Sequence, residues 1–271
     1  MKPTRVLPLL LTCCLPLFVS AQNFSGSDDF TILNPSQWGS VSGSNGGNFS
    51  VLHGDLNYVD GGLDTSLGSQ SSTAIMPWTL NVGSNTADWS VQMDFTLNTA
   101  LLPAQYVQWA LILQSSEDGN DYFVTGLGQN YMQTNPTVQA YVFTDNASVS
   151  NSTGETLTGS ITATLLVSFS ASTQTFHAYY DGNGVAGGYS FTSLWSASVP
   201  TEWNLTSGST FNLLVRGNNQ AMASSTSPLV EGSMTADNFL ASPTAVPEPA
   251  TVALLAGLAV LGFVVWRRRA G

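Results

Sequence analysis

Residues 89–97 alternate strictly between apolar and polar side chains, and this period of two constrains the fold more than any other feature of the sequence. Trp89 and Val91 fall on one side of an extended segment, whereas Gln92 and Asp94 fall on the other. Successive side chains of a β-strand point to opposite faces, so the segment is typical of an antiparallel sheet with one buried face and one wet face.

Further segments with strand character follow along the chain, separated by Gly, Ser, Asn and Thr. They comprise residues 106–113, 121–127, 138–143, 160–170, 175–180, 211–216 and 234–239. The dense apolar run at 106–113 indicates a central strand buried on both faces. Residues 181–184 (Asp-Gly-Asn-Gly) favour a hairpin turn, because Gly and Asn accept positive φ. No ten-residue segment between 22 and 245 shows a helical period, so the pattern predicts an all-β sandwich or barrel.

The charge of the segment between residues 22 and 245 is strongly unbalanced. Of the 6 basic residues only Arg216 lies in it, whereas every one of the 17 acidic residues except Glu248 does. Nucleic-acid binding needs a basic surface, so it is excluded, as is attraction to anionic lipid. An acidic polysaccharide would be repelled unless divalent cations bridged the charges. Neutral polysaccharide, cations and other proteins remain as partners, although the charge also serves solubility without any partner.

The N-terminus carries an export signal. Residues 1–21 have a positively charged start, a mostly apolar run and small residues at the end, the pattern of a secretory signal peptide. Both cysteines, Cys13 and Cys14, lie in this segment, and Thr12 before them fits a lipoprotein site poorly. The body, residues 22–242, therefore has no cysteine and must be held together by its core alone.

The C-terminal end consists of three parts. These are a linker at residues 243–249 that contains Pro247, Glu248 and Pro249, an uncharged apolar run at residues 250–266, and a basic tail at residues 267–271 that contains Arg267, Arg268 and Arg269. As a helix the apolar run reaches the lower end of the length that spans a bilayer. The arginines of such a transmembrane helix would stay on the cytoplasmic side, which leaves the body outside the cytoplasm.

This order of parts resembles the PEP-CTERM sorting signal of Gram-negative bacteria. The resemblance covers residues 246–270. It implies recognition by an exosortase, a membrane transpeptidase-like enzyme, of a protein first anchored in the inner membrane. Cleavage near the tripeptide would then release or transfer the body to the cell surface, the extracellular matrix or exopolysaccharide. A simple anchor helix that is never removed is the alternative.

A second resemblance concerns the body. Its motifs are Asp28-Asp29-Phe30, Trp38 after the turn at Asn34-Pro35, Gly54-Asp55-Leu56, and the closing Asp237-Asn238-Phe239. These motifs are similar to those of concanavalin A-like lectin/glucanase domains. The resemblance implies an all-β, antiparallel two-sheet sandwich, a jelly roll whose first and last strands are neighbours. Another β-sandwich, of the immunoglobulin or carbohydrate-binding-module kind, is the alternative.

The residues give no sign of catalysis. Glucanases of that superfamily carry Glu-x-Asp-x-Glu or a near variant on one strand, which puts the carboxylates on one face. The body has no Glu-x-Asp, and the strand at 89–97 carries Asp94 alone. His53 precedes a turn glycine and His177 lies in a strand pattern, so neither indicates a triad or a zinc site. We expect a protein that is not an enzyme, with a glycoside hydrolase of unrecognised site as an alternative.

Calcium is the one cofactor that a turn of this sequence would suit. Four side chains with oxygen ligands lie close together, namely Glu117, Asp118, Asn120 and Asp121. Because Ca²⁺ takes about six to eight oxygens, the turn would need carbonyls or another loop to complete the shell. The same residues also occur in turns for backbone reasons alone.

Exposed aromatic side chains are the remaining candidates for ligand binding. Trp195, Trp203 and the nearby Tyr189 lie in a loop-like region and are the candidates for a glycan platform, with a position in the core as the favoured alternative for each tryptophan. Trp89 and Trp109 lie in strand patterns and are expected in the core. The sequence thus predicts an exported cell-surface or matrix protein with a non-catalytic structural or adhesive sandwich, and a lectin-like glycan-binding module as the alternative.

Overall fold

The computed structural model describes residues 23–61, 70–98, 106–130, 135–158, 161–221 and 229–243. The predicted signal peptide, the Pro-Glu-Pro tripeptide, the predicted transmembrane helix at 250–266 and the basic tail lie outside these residues. Within the described ranges, no helix is both long enough and apolar enough to cross a bilayer.

The described residues fold into strands joined by turns. In chain order the strands are β1 (Gly26–Asp28), β2 (Ser42–Ser44), β3 (Asn48–Leu52), β4 (Asp55–Val59), β5 (Gln70–Pro77), β6 (Gly83–Ser84), β7 (Trp89–Leu97), β8 (Tyr106–Ser115), β9 (Tyr122–Gln129), β10 (Thr137–Thr144), β11 (Ala147–Asn151), β12 (Glu155–Thr156), β13 (Ile161–Ser170), β14 (Thr175–Asp181), β15 (Thr192–Ser198), β16 (Thr210–Ala221) and β17 (Met234–Ser242). A 3₁₀ helix at Thr201–Trp203 lies between β15 and β16.

The strands pair into two antiparallel sheets. Sheet 1 has the order β15-β14-β13-β7-β17-β4-β3, with β1 also paired to β17. Sheet 2 has the order β11-β10-β9-β8-β16-β5-β2, with β12 paired to β10 and β6 paired to β16. The first and last strands are neighbours, with Ser27 opposite Leu240, as the resemblance implied. The predicted all-β, two-sheet sandwich is confirmed.

Aromatic side chains join the two sheets in the core. The ring of Trp109 in sheet 2 stacks on Phe49 and Phe95 of sheet 1, with centroids 5.7 and 5.4 Å apart. It also meets Tyr58 of sheet 1 edge-on, at 6.3 Å. Trp89 and Trp109 are both fully buried, which confirms their predicted core positions. These contacts hold a body without cysteines together by packing rather than by cross-links.

The N-terminal segment is fastened to the last strand by the motifs of the second resemblance. The indole N–H of Trp38 donates a hydrogen bond to Asp28 at 2.8 Å. Its ring packs on Trp78 and Phe239, with centroids 4.9 and 5.0 Å apart. Asp28 also accepts the backbone N–H of Phe30 at 2.8 Å. The Asp-Asp-Phe and Trp motifs therefore serve the pairing of β1 with β17.

The predicted strands differ from the observed ones at two main places, the edge strand β15 and the strand β5. The region around Trp195 was predicted to be loop-like, but residues 192–198 form β15. Residues 70–77, which were not predicted, form β5. The predicted turn at 181–184 does open a hairpin, because β14 and β15 pair antiparallel, but β15 begins only at Thr192.

Candidate functional site

The outer face of sheet 2 is formed by the side chains that alternate with the core residues of four neighbouring strands. Those that concern the site are Tyr106, Gln108, Ala110 and Ile112 of β8, Tyr122, Val124, Gly126 and Gly128 of β9, Thr137, Gln139, Tyr141 and Phe143 of β10, and Leu214 and Arg216 of β16. Ala110, Ile112 and Val124 are buried beneath their larger neighbours on this face. The central strand β8 is therefore covered on both faces, as predicted. We call the depression on this face the aromatic groove; its lining consists of Tyr106, Gln108, Tyr122, Val124, Gly126, Gly128, Asn130, Thr137, Gln139, Tyr141, Phe143 and Arg216.

One wall of the aromatic groove consists of three rings. Tyr122 and Phe143 stack with centroids 4.6 Å apart and 16° between their planes. The Tyr141 ring lies 6.1 Å from Phe143, and its hydroxyl is hydrogen-bonded to Gln139. Burial raises the pKa of the Tyr122 and Tyr141 phenols, so both stay protonated at neutral pH. The wall therefore combines apolar ring faces with neutral polar edges.

The floor of the groove is made of small residues. A Cβ on Gly126 would lie 2.7 Å from the carbonyl oxygen of Trp109 and 3.0 Å from Nε2 of Gln108. Only glycine therefore lets the Gln108 side chain lie across this part of the floor. The groove has two lobes of about 170 and 200 Å³, and Tyr106 and Gln108 line both of them.

Arg216 lines the second lobe of the groove. Its Nη2 donates a hydrogen bond to Oε1 of Gln108 at 2.9 Å, whereas its Nε is buried without a hydrogen-bond partner. Burial lowers the pKa of Arg216, and Tyr106 and Tyr122 act in the opposite direction. A guanidinium nevertheless keeps its charge at any physiological pH, so the groove contains a permanent, partly desolvated cation.

A larger cleft, of about 580 Å³, lies on the outer face of sheet 1. Its lining includes Gln92, Asn238, Asp29 and Tyr189. Tyr189 is 39% exposed and stacks on Phe191, with centroids 5.6 Å apart. This cleft therefore holds one of the three aromatic residues predicted as a platform.

Carboxylates cross the outer face of sheet 1 in one row. Asp94 lies opposite Asp237 on one neighbouring strand and opposite Thr164 on the other, and Thr164 lies opposite Asp181. One Asp94 oxygen accepts the Thr164 hydroxyl, and the other accepts Nδ2 of Asn238 at 2.9 Å. Asp94 is only 3% exposed. A glycosidase nucleophile must reach the sugar, so a buried carboxylate with both oxygens engaged does not suit that role.

The charge of Asp237 costs the folded protein stability. Burial raises the pKa of Asp237, and repulsion by Asp55 and Asp94 adds to this shift. The folded state therefore binds this proton more tightly, and stability falls as pH rises from 3.8, the ordinary value, through the higher folded pKa. Because the Asp237 carboxylate is partly exposed and therefore screened by solvent, we expect Asp237→Asn to stabilise the protein at pH 7 by only about 0.5 kcal/mol, or roughly 1–2 °C in Tm.

Thermal unfolding at pH 3 and pH 7 checks this prediction, with Glu155→Gln as the matched control. Glu155 is exposed and lies in sheet 2, away from the carboxylate row. The gain of Asp237→Asn should vanish at pH 3, where both states are protonated. If Glu155→Gln raised the Tm at pH 7 by the same amount, the gain in stability would come from the lower net charge and not from the row of carboxylates on sheet 1.

The three aromatic residues predicted as a glycan platform are separated in the structure. Trp203 is 1% exposed, and its indole N–H donates to the Phe143 carbonyl at 3.1 Å, so its ring is not an exposed platform and the core alternative holds at this position. It instead closes one end of the core beside Phe176. Trp195 is half-buried in β15, and its ring is stacked on a core phenylalanine. Only Tyr189 is exposed.

The predicted calcium turn uses its oxygens for hydrogen bonds within the protein. Glu117 accepts a serine hydroxyl, Asp118 accepts the N–H of Asn120 at 2.8 Å, and Asp121 accepts the N–H of Asp145 at 3.0 Å. In the part of the chain that the structure describes, no three His, Cys, Asp or Glu residues are grouped to hold a metal. The side chains are directed to different partners, and calcium binding at this turn stays a prediction.

The aromatic groove itself was not predicted from the sequence. Its residues come from four strands whose order in the sheet is not the order in the chain. One feature could have pointed to it, because Tyr122, Tyr141 and Phe143 occupy polar-face positions of strands that alternate. Large aromatics at outward positions of neighbouring strands indicate an exposed or covered apolar face.

The described residues form an antiparallel two-sheet β-sandwich, and solved structures of low sequence identity share this architecture. The CBM2 module of the evolved Dit of Lactobacillus casei BL23 phage J-1 is 9% identical, over 83% of this chain and 97% of that one, with a TM-score of 0.53. The potassium-bound carbohydrate recognition domain of Emp46p is 9% identical over 81% and 96%, with a TM-score of 0.50. Lectin II from Ulex europaeus is 10% identical over 80% and 97%, with a TM-score of 0.47.

The C-terminal segment carries a PEP-CTERM protein-sorting motif at residues 245–269. The resemblance drawn from Pro247, Glu248, Pro249 and the three arginines is thereby confirmed, although the motif lies outside the described residues. Comparison with curated protein sequences gives no match. The chain therefore joins a PEP-CTERM sorting motif to an all-β sandwich.

Proposed function

We propose that this exported, PEP-CTERM-sorted protein binds glycans through the aromatic groove of sheet 2. The observation that carries the proposal is the wall of Tyr122, Tyr141 and Phe143 above a floor of glycine on an outer sheet face. Sugar rings have apolar C–H faces bordered by hydroxyls, which suit aromatic faces and the amides of Gln108 and Gln139. The structural similarity to a CBM2 module and to a carbohydrate recognition domain supports this ligand class.

The sorting signals determine where in the cell envelope such a binding site acts. The signal peptide and the PEP-CTERM motif lead the chain through an inner-membrane stage and an exosortase to the cell surface or the extracellular matrix. Exopolysaccharide is then the glycan nearest to the binding site, and the sandwich acts as an adhesive domain that attaches the protein to this polysaccharide. We propose no catalytic step, because Asp94, the best-placed carboxylate of the row on sheet 1, is buried with both oxygens engaged.

Tyr141→Ala tests the site. The substitution removes one ring of the wall, and the loss of an aromatic anchor typically costs about 2 kcal/mol or more, so affinity should fall at least roughly tenfold. The ligand is first identified on a glycan array with the full chain in a detergent that has no sugar headgroup. Isothermal titration with the best array ligand then measures the change in Kd.

Tyr189→Ala is the matched control, since it removes the same side chain from the cleft on sheet 1. Its affinity should stay within about twofold of the unaltered protein. The reverse result, with binding lost in Tyr189→Ala and retained in Tyr141→Ala, would move the site to sheet 1. An array without any bound glycan would contradict the proposal itself.

A further inference from the structure

The one cation of the body lies where acidic side chains are missing. Arg216 is the only basic residue between 22 and 245, a segment that contains nearly all of the acidic residues. Apart from Arg216, the two lobes of the aromatic groove are lined by aromatic, amide, hydroxyl, small and aliphatic side chains. No Asp or Glu is among them. The groove is thus the one place described where a positive charge faces a cavity without a negative charge beside it.

The guanidinium also has fewer partners than its five N–H groups could use. Gln108 accepts one hydrogen bond from Nη2, and the buried Nε has no partner. The groups that act on its charge are Tyr106 and Tyr122, which are neutral when protonated, and no described carboxylate pairs with it. Removing a cation from water without an opposite charge costs free energy, and such groups concentrate at functional sites.

We propose that Arg216 makes the groove selective for acidic glycans, whose carboxylate or sulfate group binds beside the guanidinium while a sugar ring rests on the aromatic wall. This inference rests on the proposed function of the groove. The planar guanidinium matches both kinds of anion through paired, charge-assisted hydrogen bonds. A carboxylate would come from a hexuronic acid, and a sulfate from an ester on a neutral sugar.

The acidity of the whole body does not prevent this binding. At physiological ionic strength exposed charges are screened beyond about 8 Å, so carboxylates elsewhere on the surface act weakly in the groove. At low ionic strength their repulsion extends further, while the contact with Arg216 also strengthens. The expectation from composition, that acidic polysaccharide is repelled, therefore applies to the surface as a whole and not to this groove.

The test compares three oligosaccharides of equal length on the full chain by isothermal titration. One is a hexuronic acid oligomer, the second is the same oligomer with its carboxyl groups reduced to alcohols, and the third is the reduced oligomer carrying sulfate esters. We expect one or both acidic ligands to bind at least roughly tenfold more tightly than the reduced one. Which acidic ligand binds identifies the source of the anion.

Two variants assign the preference to Arg216. In Arg216→Gln the ratio of acidic to neutral affinity should fall to about one, and in Gln108→Glu it should fall similarly, because the new carboxylate neutralises the guanidinium within the groove. Thermal melts followed by circular dichroism are the control that checks whether both variants fold. Equal affinities of the unaltered protein for all three ligands, or a preference that survives in Arg216→Gln, would overturn the inference and leave the glycan site in place. Binding of none of the three, together with an empty glycan array, would instead remove the proposed function.

Discussion

Replacing Trp109 by alanine is expected to remove about 3–5 kcal/mol of stability, a large part of what a domain of this size has. The ring is fully buried and makes stacked or edge contacts with Phe49, Tyr58 and Phe95. All three partners belong to sheet 1, whereas Trp109 belongs to sheet 2. The variant therefore opens a cavity at the place where the sheets meet, and the cost should appear as a lower urea midpoint in equilibrium unfolding.

Trp109→Phe is the matched control for that experiment. It keeps an aromatic ring between the sheets and removes an indole N–H that is buried without a partner. We expect it to cost clearly less than the alanine variant, because the lost volume is partly offset by the removal of an unsatisfied donor. Equal losses in the two variants would show that ring stacking between the sheets is not what stabilises this part of the core.

Gly217→Ala is expected to destabilise the protein by about 1–3 kcal/mol, through overpacking and not through a cavity. A Cβ at this position would lie 2.4 Å from Cδ2 and 2.7 Å from Cγ of Tyr58. The Tyr58 ring cannot easily move aside, because its hydroxyl donates to Ser72, with the carbonyl and hydroxyl oxygens of that residue both at 3.0 Å. Urea unfolding measures the loss.

A double-mutant cycle with Tyr58→Leu separates this clash from any general intolerance of alanine. In the Tyr58→Leu background the ring is gone, so the added methyl group should cost much less. Gly182→Ala serves as the surface control, since its Cβ would meet Leu157 at an ordinary 3.6 Å. A Gly217→Ala penalty that is unchanged without the Tyr58 ring would refute the explanation.

The strands in the middle of the sheets could be predicted because one of their faces is buried. The segment at 89–97 coincides with β7, and the dense run at 106–113 lies within β8. The edge strand β15 buries little, so its sequence shows no clear period and predicts a loop instead. The strand β5 escaped prediction because its first half is Gln, Ser and Thr, residues that also fill the loops of this chain.

The candidate site could not be predicted, because it depends on strand order and register. Arg216 was singled out as the only basic residue of the body, but its position beside Gln108 follows from the pairing of β16 with β8. The aromatic wall likewise requires β9 and β10 to be neighbours. The sequence leaves the position of Trp203 open, since a tryptophan near a proline in a polar segment can form an exposed platform or cover the end of a core, and the structure shows the second.

The place of β17 in the middle of sheet 1 determines how the sandwich carries a mechanical load. This last strand has β7 on one edge and β4 and β1 on the other, and the sorting motif begins at residue 245, soon after the strand ends. A force applied to the C-terminal end of β17 therefore acts along a strand that is hydrogen-bonded on both edges. It must shear several rows of hydrogen bonds together, whereas a strand at the rim would peel away one bond at a time. The topology thus makes the last strand hard to pull out of the sheet by its C-terminal end.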